Sequence, residues 1–333
     1  MAKRSLIGSG VAILLGLLVP LFIKSYWLHV SIMALYYALL AASWTMLAGF
    51  AGQFSFATMA LAGISAYTSA LLVLKAGIPI WLGMIAGALM ATVVGLLVGA
   101  LVLRMSGPYL ALFTIAFSEI VRITLNAEYQ LTRGDMGLTV PHLYATVSKV
   151  PYYYTILGLL VASLVIMWAI LRSRYGLFFR AIREDEQAAA AMGVNTVRYK
   201  ILAFVISSFF AGVAGGFFAH YIGTLTPNSI MEIPRMGLVI AMSVIGGIES
   251  LAGAVAGATV VEFLQEYLRV IGMWRFVIFG LALVLILRFS QNGLIYPLYQ
   301  RLAGRRVELR REPELELELE PEPKPKPGAE TGT

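Results

Sequence analysis

Two stretches of this sequence put opposite charges at helical spacing inside apolar surroundings: Glu119 with Arg122, and Glu262 with Glu266 and Arg269. Residues three or four apart share a helix face, and an unpaired charge in hydrocarbon is costly. Each group is therefore either an internal ion pair that locks helices or a contact for the ammonium and carboxylate of a zwitterion. The internal pair is the simpler reading. His29, His142 and His220 lie far apart in sequence and suggest neither a metal site nor a proton relay. Each is expected at a span end or in an outside loop. There is no cysteine, which excludes disulfides and thiolate chemistry. Neither a G-x-S-x-G nucleophile turn nor a G-x-x-x-x-G-K-[ST] phosphate loop occurs. The chain carries no constellation for catalysis, no metal site and no means of binding ATP.

The elements that must position these charges follow from composition. Of 333 residues, 59% are hydrophobic and only 13% charged, with a mean hydropathy of +0.82. A soluble domain carries about 25% charged residues, so most of this surface faces lipid. The tail from Glu312 holds seven Glu against two Lys, which leaves residues 1–311 at +12 where the whole chain is +7. Basic rims beside apolar spans meet anionic headgroups on the cytoplasmic side more simply than they meet nucleic acid.

About ten apolar spans of transmembrane length are predicted, an all-α polytopic bundle. They are Met1–Ile23, an uncleaved first helix rather than a signal peptide, then Trp27–Leu47, Phe50–Leu74, Ile80–Leu103, Tyr109–Asn126 and Tyr152–Leu171. After a long loop come Ile201–Ile222, Met236–Ile248, Leu251–Ile271 and Trp274–Leu287. With the N-terminus inside, Lys3, Arg4, Arg104, Arg172, Arg174, Arg180, Arg183, Arg198, Lys200 and the arginines after Leu287 all fall inside. Lys24, Lys75, Arg133, Lys149 and Arg235 fall outside, with Arg269 or Arg275 as a further candidate. That asymmetry obeys the positive-inside rule and places both termini in the cytoplasm. Residues 1–304 form the membrane domain, and 305–333 a basic then acidic, Pro-rich tail that cannot bury a helical stripe and is expected to be disordered.

Small residues at spacing four (Gly83/Gly87, Gly95/Gly99, Gly212/Gly216, Gly253/Gly257) favour close helix crossings. Two glycine-rich stretches also carry polar groups at membrane depth: Gly49–Gly63, with Gly52, Gln53 and Ser55, and Gly246–Gly257, with Gly247 and Ser250. Broken helices lining a pathway have this character, as do tight crossings whose serines are satisfied locally. Both readings stand.

The loop 172–200 has its own helical signal. Glu184, Asp185 and Glu186 suit a helix start, Ala188–Ala191 are strong helix formers, and Gly193 suits the left-handed position after a helix. Asn195 or Thr196 can cap the next membrane helix. A helix so small and acidic fits a protein cleft better than a bed of headgroups.

Four blocks, GFAGQFSFATMALAGISAY, SGPYLALFTIAFSEIVRI, RAIREDEQAAAAMGVNTVRYKILAFVISSFFAGVAG and VIGGIESLAGAVAGA, occur in this order and together resemble the branched-chain amino acid ABC permeases of the LivM type. The resemblance spans about Ala42–Phe289. It implies an ABC importer permease fold in the inner membrane of a bacterium, with a loop that docks on a cytoplasmic ATPase through Arg180, Arg183, Glu184, Asp185, Glu186, Ala190, Met192 and Gly193. It further implies two ATPase subunits that hold the ATP and Mg, a second homologous permease subunit, and a periplasmic or surface-tethered amino-acid-binding protein. Weak sites suffice in such a permease, which favours the ion-pair reading of Glu119 and Arg122. An ion-coupled secondary transporter, or a permease for urea, amides or sugars, is the alternative.

Overall fold

In the computed structural model the described residues are 16–20, 23–102, 105, 107–146 and 148–272, with isolated positions up to 281. Among them, seven helices are long and apolar enough to cross a membrane. Helix α1 (Ser25–Trp44) runs on as a π-helical stretch, Thr45–Phe50. Then come α2 (Thr58–Ala76), α3 (Ile80–Val102) and α4 (Pro108–Ala127). A short turn of helix, α5 (Tyr129–Thr132), and a two-residue strand, β1 (Leu138–Thr139), lead to α6 (Val150–Arg172). Two short helices come next, α7 (Arg174–Glu184) and α8 (Glu186–Ala191), and then the long α9 (Thr196–Ile222). Strand β2 (Thr224–Leu225), α10 (Pro227–Met231), α11 (Ile233–Gly246) and α12 (Leu251–Tyr267) follow, and a 3-10 turn, Leu268–Ile271, continues from α12.

Of the ten expected spans, the second to the eighth are recovered as helices of membrane-crossing length, with two corrections, while the ninth is the 17-residue α12, which is not among the seven. The third does not begin at Phe50: helix geometry stops there and resumes only at Thr58. The eighth begins earlier, as α10 and α11 with a break at the extended Glu232. The fold is also not purely helical, because β1 and β2 pair antiparallel, Leu138 opposite Leu225 and Thr139 opposite Thr224. The expected first span lies outside the described residues except for helical 16–20, and most of the tenth span and the whole of 305–333 also lie outside them.

Why these helices pack is legible in their smallest residues. Lipid offers no hydrophobic drive between helices, so close backbone approach supplies the contact. The Ser65 hydroxyl of α2 donates to the Gly212 carbonyl of α9 at 2.7 Å. Helix α9 can come so near α2 because Gly215 lacks a side chain, whose Cβ would collide with the Ala62 carbonyl, and it can approach α3 because a Cβ on Gly212 would meet the Ala88 backbone at 2.8 Å. Helix α1 is buried along nearly its whole length, whereas α3 and α6 turn apolar faces outward through residues such as Ile85, Leu89, Val165 and Ile166. Helix α9, with 27 residues, is about 40 Å long and exceeds the roughly 30 Å hydrocarbon core. Its first turn reaches α7, where the Tyr199 ring lies 4.6 Å from that of Phe178. The β ribbon marks the opposite end.

Candidate functional site

The loop between α6 and α9 is built by sharp local rules. Ser173 caps α7, its hydroxyl accepting from the Tyr175 amide at 3.2 Å. A side chain on Gly176 would collide with the Leu171 carbonyl, so only glycine permits α7 to turn directly off α6. Helix α7 buries Gly176, Phe179 and Ile182 against the bundle. Asp185 then caps α8, its carboxylate accepting from the amides of Gln187 at 2.8 Å and Ala188 at 2.9 Å. Gly193 adopts φ +85°, and Asn195 caps α9 by accepting from the Arg198 amide at 3.0 Å. The helix expected from the sequence is therefore present, with one correction. Glu184 is the last residue of α7 rather than part of the start of α8, because Asp185 takes the extended backbone that a cap requires.

Arg183 ties this loop to both glycine-rich stretches. Its guanidinium donates to the Gly49 carbonyl at 2.6 Å and pairs with Glu249. Its stem lies against Gly52, where a Cβ would sit 3.1 Å from Arg183 Cγ and where φ is +70°. Gly49 in turn has no room for a side chain, because one would collide with the Ile248 carbonyl. Arg180 lies over the Phe50 ring at 5.6 Å, and Lys200 of α9 pairs with Glu186 of α8. Three segments far apart in sequence therefore meet at one end of the bundle: 49–52, 180–186 and 246–250. The outer face of α8 is left bare. Ala188, Ala190, Ala191 and Gly193 are exposed, and Met192 is 85% exposed.

The break in the chain at 51–57 has several of its backbone groups satisfied by side chains of other helices. The indole of Trp44 donates to the Ser55 carbonyl at 2.8 Å, so residue 55 has folded back to the level of Trp44. The Phe56 amide donates to the Thr114 hydroxyl at 2.9 Å, and its carbonyl accepts from Ser118 at 3.0 Å. Ser55 accepts from the Ala57 amide at 3.1 Å, and the Gln53 amide donates to the Leu47 carbonyl at 3.1 Å. This is re-entrant backbone held by polar side chains, the form that irregular chain must take away from water. Gly246 and Gly247 are different. Both are buried at a helix turn where Gly246 and Gly253 exclude any side chain from each other, and Ser250 caps α12 by accepting from the Gly253 amide at 3.0 Å.

The paired charges are real pairs with further partners. Arg122 donates to Glu119 through Nε at 3.1 Å and reaches across to the Asn228 Oδ1 of α10 at 2.5 Å. The Asn228 amide donates to Asp135 at 2.7 Å. The pair thus locks α4 to α10, an interhelical link that the i, i+3 spacing alone does not reveal. Glu266 is bound by Tyr26 and by Arg269 at 3.2 Å, while Glu262 is buried on the same helix. Glu249 and Lys200 were not among the sequence-derived site residues. The signal for Glu249 is a lone carboxylate within a glycine-rich turn, opposite nothing local that could neutralise it.

The family model for the permease component of the branched-chain amino acid transport system matches residues 26–287. The high-affinity branched-chain amino acid transport system permease protein LivM of Escherichia coli K12 is 29% identical over 304 residues, covering 83% of this chain and 71% of the relative. Its LivH counterpart in the same organism is 26% identical over 287 residues, covering 78% and 91%. A probable LivM of Methanocaldococcus jannaschii is 25% identical over 229 residues, covering 62% and 66%. No solved structure matches the chain.

Proposed function

Since this chain belongs to the family of branched-chain amino acid transport permease components and is of the LivM type, we propose that it carries aliphatic amino acids inward as one half of an ATP-driven importer. It is a multi-pass membrane protein and a transport component rather than an enzyme. In this reading it sits in the inner membrane of a bacterium with about ten spans and both termini in the cytoplasm. It pairs with a second, homologous permease subunit, receives substrate from a binding protein outside, and contacts two ATPase subunits that hold ATP and Mg. The chain itself binds neither.

One observation carries the mechanism: Arg183 holds the loop helices to Gly49 and Glu249 at once, while α8 shows an apolar face ending in Met192. A cleft on an ATPase subunit takes that face. When the ATPases close, α8 moves, and Arg183 passes the displacement to the π-helical end of α1 and to the turn between α11 and α12. A π-helical stretch has weaker geometry than the α-helix it interrupts, and such stretches recur at functional sites. Closure then biases the bundle between two packed arrangements rather than bending it continuously. Gly52, Gln53 and Ser55 on the re-entrant segment are the pathway candidates this favours, because that segment is irregular chain held by side chains of other helices rather than a capped helix turn. Gly246, Gly247 and Ser250 serve the hinge turn instead. Glu119 and Arg122 act as an interhelical lock.

Reconstitution in proteoliposomes tests the proposal. Leucine uptake is expected only when the second permease, both ATPases, the binding protein and ATP are supplied together. Uptake driven by an H⁺ or Na⁺ gradient with this chain alone overturns it.

A further inference from the structure

The three histidines, remote in sequence, meet at the β-ribbon end. His29 of α1 bonds the Tyr221 hydroxyl of α9, their rings stacked at 5.6 Å. His220, the preceding residue, is fully buried between Ser69, at 2.9 Å, and the Pro141 carbonyl, at 2.8 Å. His142 lies against Gly223, where any side chain would collide with its ring and where φ is +75°. Around them opens a cavity of about 340 Å³ lined by His29, His142, Thr146, Lys149, Tyr152 and Tyr221.

The chemistry of that lining is one-sided. Its polar groups are an ammonium, two imidazoles and three hydroxyls, of which Tyr221 is engaged with His29 and Tyr152 with Tyr144, and it has no carboxylate. Glu266, at the same end, does not line the cavity and is held by Tyr26 and Arg269. The walls are also fixed in place. Tyr152 is bonded to the Tyr144 carbonyl at 3.1 Å and packs edge-on to both Tyr144 and Tyr221. Two carbonyls at the end of α9 are taken by the ribbon segment, Gly223 by the Val140 amide at 2.8 Å and His220 by the Leu143 amide at 3.1 Å. Lys149 stands at the N-terminus of the 23-residue α6, whose dipole favours negative charge.

We propose that this cavity is a binding site for a phosphoryl anion, supplied in the membrane by the headgroup of an acidic phospholipid. The level is right for a headgroup: the starts of α1 and α6 and the end of α9 meet here. The exposed aromatic residues Tyr26 and Tyr267 lie at the same end, as expected of a membrane interface. Basic pockets between transmembrane helices take lipid headgroups by the same chemistry. The site lies at the end of the bundle opposite the coupling loop and does not depend on the transport reading.

The test is a thermal titration of the purified full chain in neutral detergent with dioleoyl phosphatidylglycerol, dioleoyl phosphatidylcholine or inorganic phosphate, using wild type, Lys149→Met and His142→Gln. A ligand that binds only the folded state raises Tm in a saturable way. Phosphatidylglycerol is expected to do so with wild type. Its apparent affinity should fall about tenfold or more in each variant, the loss of one charge-assisted hydrogen bond, while phosphatidylcholine has no such effect. Inorganic phosphate saturating the same shift upholds the anion site and makes its natural source soluble. Equal shifts with phosphatidylglycerol and phosphatidylcholine, or unchanged shifts in Lys149→Met, overturn the proposal. Lys149 makes no capping bond to α6 and only a long contact, 3.5 Å, with the Ser25 carbonyl, so its replacement leaves the fold intact. Native mass spectrometry counts retained phosphatidylglycerol independently of Tm.

Discussion

The two ends of this bundle are held together differently. At the loop end, one arginine spans three segments and glycines let backbones touch, so the parts are joined by few, polar and directional contacts. At the ribbon end, edge-on tyrosines, a phenylalanine stacked on Tyr221, a buried histidine and a two-stranded pairing make a broad joint of many contacts. Few directional contacts transmit a displacement, because moving one partner moves the others. A broad packed joint resists displacement and keeps its shape. The contrast assigns movement to the first end and anchorage to the second.

Breaking each end in turn exposes that difference. Gly49→Val has the largest expected effect. Its side chain collides with the Ile248 carbonyl, and overpacking against backbone costs on the order of 4 kcal/mol; size-exclusion chromatography should show loss of monodisperse protein. Gly223→Ala at the ribbon end, with φ +75° and His142 in the way, should cost about 1–3 kcal/mol. It lowers Tm yet leaves the amount of leucine carried per ATP unchanged. Asn228→Ala removes the bridge between Arg122 and Asp135. About 1 kcal/mol of stability is expected to go with it, seen as a smaller fall in Tm. Met192→Asp sits on an exposed residue and should leave stability within about 0.5 kcal/mol of wild type. It should instead weaken co-purification with the ATPases; intact association would detach α8 from the proposed interface.

The same contrast explains how far the sequence could be read. Hydropathy located the second to eighth spans because lipid demands long apolar helices, and the residues of α8 announced an acidic start, an alanine run and a terminating glycine within ten positions. Those are local signals. The break at 51–57 was only half legible: glycines hinted at it, but Trp44, Thr114 and Ser118, which satisfy its backbone, come from other helices. Arg183 meeting Glu249 is likewise a tertiary fact, since nothing in the spacing of 66 residues encodes it. The histidines suggested no common site because they are far apart in sequence, and the fold brings them together because the start of α1, the end of α9 and the 141–146 segment lie at the same level. Two-residue strands such as β1 and β2 are too short to leave a periodic pattern.

The claim at the centre of this account is that Arg183 links the movement of α8 to the bundle. Arg183→Ala in the fully reconstituted importer tests it most directly, by measuring leucine uptake and ATP hydrolysis on the same vesicles. Hydrolysis should persist near the wild-type rate while uptake falls about tenfold or more, the scale of one lost charge-assisted contact at a point of transmission. An unchanged ratio of leucine carried to ATP consumed would contradict the account.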